Sequence, residues 1–182
     1  MIPQIQPWID KSELFELTKV IKSTYITENY FTKKFEDKIS KLTNSKYAVA
    51  MSNGTVAQYA ALIALGIKKN DEVIIPNITF ISTANAVIMA GAKPVLCEIY
   101  KDDLCIDYSK IEKLITKRTK MIIPVHLYGL TADMFEINKI AKKYKLEVFE
   151  DAAQGMGVFF KKNHVGTIGD IGMISFYGNK TI

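Results

Sequence analysis

The stretch DEVIIPNITFISTANAVIMAGAKPVLCEI, residues 71–99, reads as one strand, one helix and a second strand. Short apolar strands are expected over residues 72–76 and 94–99, with a helix over 82–90 between them. The same alternation runs outward in both directions. Further strands are expected over residues 47–51, 121–126, 147–150 and 172–177, and further helices over 56–65, 109–115 and 133–144. Two amphipathic helices open the chain, near 11–22 and 31–42, the second with Phe31, Phe35, Ile39 and Leu42 at helical spacing. Strand and helix repeated this way predict an α/β fold, a mostly parallel sheet with helices on both faces. Ligands of such sheets bind beyond the carboxyl ends of the strands, so polar residues just after strands carry the functional argument.

A chain of 182 residues, 48% hydrophobic and 24% charged, suits one soluble domain. Its most apolar stretch, residues 81–92, is interrupted by Ser82, Thr83 and Asn85 and is too short to span a bilayer. The N-terminus lacks the basic start and apolar run of a leader peptide. Cys97 and Cys105 match neither a metal-site spacing nor a disulfide framework, so reduced thiols and a cytoplasmic location are expected. The net charge is +5, carried by 23 lysines and one arginine, Arg118. Scattered lysines indicate a solvated surface rather than a nucleic-acid site, although the field also favours an anionic substrate. No paired histidines stand at metal spacing, and no Gly-x-Ser-x-Gly elbow or Gly-x-Gly-x-x-Gly fingerprint follows a strand.

Three constellations could carry chemistry, and each has a plainer alternative. Ser52-Asn53-Gly54-Thr55 opens a helix, where free amides and the helix dipole favour a phosphate. The same residues also make an ordinary N-cap. Glu150-Asp151-Ala152-Ala153-Gln154 ends a strand, where a desolvated carboxylate could hold a cationic ring nitrogen, or simply cap the next turn. Ser175-Phe176-Tyr177-Gly178-Asn179-Lys180 places a lysine after a strand, either as a nucleophile or as one more surface lysine. His126 follows a strand and is read either as lining the site or as structural. His164, in Lys-Lys-Asn-His, is expected to be exposed.

In order and spacing these pieces resemble the DegT/StrS family of sugar aminotransferases, which have the pyridoxal-phosphate (PLP) fold-type I architecture. The resemblance also rests on residues 71–80, 91–95, 125–129 and 165–170, and on the step of 29 residues (180 − 151) from Asp151 to Lys180. It implies that Lys180 would hold the cofactor and then shuttle a proton. Asp151 would keep the pyridine nitrogen protonated, and Gln154 would lie near the ring hydroxyl or ring face. Phe80 would stack on the ring, and Gly54, Thr55 and Ser175 would hold the phosphate. The implied reaction moves an amino group, commonly from glutamate, to a keto group on a nucleotide-linked deoxysugar. Some relatives carry histidine in place of this lysine and act as dehydratases, so Lys180 favours the aminotransferase branch. The closing residues 178–182 are most similar to a perosamine-synthase-like subgroup.

Two departures from the family pattern stand out. Thr27-Glu28-Asn29-Tyr30 replaces a Gly-Pro-like turn, and Asn29 can adopt the left-handed conformation a glycine would supply. Family members also continue well beyond residue 182. Residues 1–182 are therefore expected to be an N-terminal segment and most of the large domain, without the small C-terminal domain of relatives that work as homodimers. On that expectation the chain alone binds PLP poorly and turns over slowly or not at all. The competing expectation is a non-catalytic remnant, or an interaction partner of a full-length homologue.

Overall fold

The computed structural model describes residues 6–180. The opening residues 1–5, on which the reading of the N-terminus partly rests, and Thr181 and Ile182 of the closing motif lie outside the described residues. The chain divides into two compact units.

The first unit takes residues up to Ala50 together with Tyr177–Asn179. It holds α1 (Lys11–Ser23) and α2 (Tyr30–Thr43). A capping box starts α1: the Asp10 side chain accepts from the Ser12 N–H, and Glu13 accepts from the Asp10 N–H. Asn29 starts α2 by accepting from the Phe31 N–H. Asn29 does not use the left-handed conformation open to it. Its φ is −164°, the extended conformation of an N-cap, and the left-handed residue of this connection is Thr24 at φ 63°.

The second unit is the α/β layer structure. Its elements are α3 (Gly54–Ala64), β1 (Glu72–Pro76), α4 (Ser82–Met89), β2 (Lys93–Cys97), α5 (Tyr108–Leu114) and β3 (Thr119–Ile122). They continue with α6 (Met134–Tyr144), β4 (Glu147–Asp151), β5 (Phe159–Phe160), β6 (Asn163–His164) and β7 (Ile171–Met173). Five strands form one sheet in the order β2-β1-β3-β4-β7, and every pair in it is parallel. Side chains alternate across the sheet. Val73, Ile75, Met121, Ile123 and Phe149 pack with Leu62 of α3 and Val87 of α4. Ile74, Ile122 and Val148 pack the other way, with Ile111 of α5 and Met134 and Ile137 of α6. Helices thus cover both faces, as expected. Cys97 and Cys105 are free thiols buried in the second core, where burial pushes them up to about 12 and about 11.

Several expected elements are corrected. Residues 47–51 form no strand: Tyr47 and Val49 are each 75% exposed, and an apolar run without a ladder partner stays irregular. The strand expected over 121–126 stops at Ile122 because Pro124 has no N–H to give the ladder. Pro124 still accepts from the Asp151 N–H, and Val125 bridges to Asp151. The strand expected over 172–177 is only Ile171–Met173. The small antiparallel hairpin β5–β6 was not anticipated. It draws His164 inward to 2% exposure rather than leaving it in solvent. The Gly157 N–H donates to His164 Nε2 at 2.9 Å, and the Phe159 ring meets the imidazole edge-on.

Candidate active site

Strand β4 delivers two consecutive acids to the carboxyl end of the sheet, one to each face. Asp151 points to the α3–α4 face and is 2% exposed. Its Oδ2 accepts from Gln58 Nε2 at 2.6 Å and from the Thr83 hydroxyl at 2.8 Å. The Thr83 hydroxyl in turn lies 2.9 Å from that of Thr79. Since Thr83 donates to the carboxylate, its oxygen is left to accept from Thr79. Oδ1 accepts from the Ala153 N–H at 3.1 Å. Burial pushes the Asp151 carboxyl above the ordinary carboxylate range, against the opposing pull of Thr83, the Ala153 amide and the positive charge of Lys180. Among the described residues no ion pair engages Asp151.

Glu150 points to the α6 face and is fully buried. Its Oε1 accepts from the Ile168 and Gly169 N–H groups, each at 2.6 Å. Its Oε2 accepts from the Gly166 N–H at 2.8 Å and faces His126 Nε2 at 3.1 Å. The Ala132 N–H donates to His126 Nδ1 at 3.2 Å, so the ring proton sits on Nε2 and goes to Glu150. His126 is therefore the structural histidine of its two readings, buried and bonded on both nitrogens. Burial alone would raise the Glu150 carboxyl, but the bonds from His126 and the Gly169 and Gly166 amides outweigh it and hold the group below its ordinary value. Glu150 thus ties the 166–169 turn and the His126 loop to the end of β4.

The other expected residues lie at the start of α3, before α4, and in the segments after β4 and β7. Asn53 caps α3 by accepting from the Val56 N–H at 2.9 Å, and its carbonyl takes the Ala57 N–H. The amides of Gly54 and Thr55 stand at the helix start, outside the intrahelical ladder. A methyl group on Gly54 would lie 3.4 Å from Met173 Sδ and 4.0 Å from Ser175 Oγ, so the start of α3 adjoins Ser175. Phe80 precedes α4 and is 70% exposed. Gln154 accepts from the Tyr128 N–H at 2.7 Å, fixing a turn in which Tyr128 has φ 52°. Lys180 is half-buried and belongs to the sheet unit. Sequence reading missed Gln58 and Thr83. Gln58 sits with Ala61 and Leu62 on the i, i+3, i+4 face of α3, a polar residue in an apolar stripe, and that was the available signal. Arg118, expected on the surface, is 65% exposed at its side chain and also donates to the buried Glu72 from Nε and Nη2.

A family model described as the DegT/DnrJ/EryC1/StrS aminotransferase family matches residues 7–182. GDP-perosamine synthase of Escherichia coli O157:H7 is 42% identical over 182 residues, which are all of this chain and 50% of that protein. The X-ray structure of the aminotransferase from Psychrobacter cryohalolentis superposes with a TM-score of 0.92 at 38% identity, covering 97% of this chain and 46% of that one. The NtdA protein of Bacillus subtilis, solved with bound cofactor PMP, superposes with a TM-score of 0.88 at 40% identity, covering 93% and 38%. The chain spans about half the length of the curated relatives it matches.

Proposed function

Because the chain belongs to the DegT/DnrJ/EryC1/StrS aminotransferase family, we propose that its site serves PLP-dependent transfer of an amino group to a nucleotide-linked keto-deoxysugar. Glutamate is the amino donor in this reading, and the product feeds polysaccharide or glycan biosynthesis. The observation that carries it is the environment of Asp151: a desolvated carboxylate at the end of a central strand, with hydrogen bonds but no cation in contact among the described residues. Such a group gains most from a partner that brings a positive N–H. The start of α3, with Gly54, Thr55 and the adjoining Ser175, offers amides and hydroxyls suited to a phosphate. These residues fit PLP.

When bound, PLP supplies an electron sink for cleavage of bonds at the substrate carbon. In this reading Asp151 holds a proton on the ring nitrogen and Lys180 moves protons at its Nζ. Phe80 covers the ring, Gln154 lies beside it, and Gly54, Thr55 and Ser175 anchor the phosphate. Residues 1–182 correspond to an N-terminal segment and most of the large domain, in a protein that acts as a cytoplasmic homodimer. Among the described residues no helix is long and apolar enough to cross a membrane.

The test is to add PLP to the chain, reduce with borohydride and map the label. Label concentrated on Lys180, and lost in Lys180→Ala with the other lysines unchanged, supports the reading. Label spread evenly over the 23 lysines overturns it.

A further inference from the structure

We propose that Gln58 is a positioning residue for Asp151, clamping Oδ2 so that Oδ1 is the oxygen left to take a cationic partner. The proposal rests on the cofactor reading above and concerns a residue that the family comparison does not single out. Gln58 is 1% exposed, on the buried side of α3. Its Nε2 donates to Asp151 Oδ2 at 2.6 Å, and the Thr83 hydroxyl donates to the same oxygen at 2.8 Å. Two donors fill the two lone pairs of Oδ2. Among the described residues Oδ1 receives only the Ala153 N–H, which leaves it a lone pair for one further donor.

The amide can face Asp151 in one way only. Turned over, its oxygen would lie 2.6 Å from a carboxylate oxygen, a repulsive contact. The orientation that satisfies Asp151 leaves Gln58 Oε1 buried with no hydrogen-bond partner among the described residues. A buried acceptor without a partner is unfavourable, and an aliphatic side chain of similar volume would avoid it. Packing therefore does not account for an amide at this position, whereas the bond to Asp151 does. Each donor on a carboxylate favours its ionised form, which counters the burial of Asp151 and keeps the group able to attract a cation.

The experiment compares the full chain with Gln58→Met, which keeps the shape and removes the donor, and Gln58→Glu, which keeps the shape and replaces the donor by an acceptor. Asp151 is titrated by carbon NMR of chain labelled at the aspartate carboxyls, its signal assigned by loss in Asp151→Asn. PLP affinity is read by absorbance. In Gln58→Met the Asp151 midpoint is expected to rise by about one pH unit, with PLP binding weakened about tenfold below the unmutated midpoint and little changed above the new one, and thermal stability equal or higher. In Gln58→Glu two adjacent carboxylates share a proton, and the Asp151 midpoint shifts further upward. An unchanged Asp151 midpoint in either folded variant overturns the proposal, as does lost stability in Gln58→Met with no change in titration. If the unmutated chain takes up no PLP, the cofactor reading falls, while the titration still decides the role of Gln58.

Discussion

Glu150→Gln is the sharpest test of how the site is supported. Four donors converge on this carboxylate, two on each oxygen. Replacing one oxygen by NH2 turns two of these contacts into donor against donor. His126 cannot relieve the clash by moving its proton, because Nδ1 must stay bare to accept from Ala132. A bond to a charged acceptor contributes about 1.5–3 kcal/mol, so two lost bonds amount to about 3–6 kcal/mol. Relief from burying a charge offsets part of this, leaving a net loss of about 2–4 kcal/mol. That is a large share of the ~5–15 kcal/mol that holds a typical domain folded. Urea unfolding at neutral pH, followed by circular dichroism with the slope checked for constancy, measures it. A loss below ~1 kcal/mol would refute the argument that Glu150 ties the 166–169 turn to β4.

Gly172→Ala should cost more than about 2 kcal/mol or prevent soluble expression, because the new methyl group would collide with the Gly166 backbone, which cannot swing aside as a flexible side chain would. A urea midpoint equal to the unmutated chain's would show that β7 does not lie so close. Glu72 is held below its ordinary value of 4.5 by the Thr116 hydroxyl and Arg118, and Glu150 is held below 4.5 by His126 and the Gly169 and Gly166 amides against burial. Groups shifted downward add stability above the ordinary value and lose it as pH falls through the folded one, so the urea midpoint should drop below about pH 4.5. Asp151, shifted upward from 3.8, works the opposite way, adding stability at low pH that is lost as pH rises through its folded value. A midpoint that rises steadily on acidification would mean that Asp151 outweighs the two glutamates.

The alternation of apolar runs predicted the parallel sheet and most helices because each run had a partner strand or an apolar face to bury. It failed at residues 47–51, where the pattern exists without a ladder, and after Ile122, where proline ends one. The roles of Glu150 and Gln58 were not legible, whereas the structural role of His126 was one of its two readings. Glu150 meets His126 and Gly166 across 24 and 16 residues of sequence and Gln58 meets Asp151 across 93, and no local pattern encodes such pairings. His164 misled for the same reason: its polar neighbours describe a hairpin tip, while its own side chain is fixed by Gly157 across the hairpin.

Strand β4 ends on two acids that differ by one methylene and one place in the chain. Only the pleat tells them apart. Because side chains alternate along a strand, a slip of β4 by one residue would send each to the other's face: moved one place on, Glu150 would stand before Gln58 and Thr83, and Asp151 would turn to the side of the 166–169 turn, one place beyond where Glu150 stood. The shorter Asp side chain would fall short of that turn, and Phe149 would leave the α3–α4 core for the opposite face. The mispaired chain would thus lose its packing along with its chemistry, so folding proofreads the choice of which carboxylate faces the site.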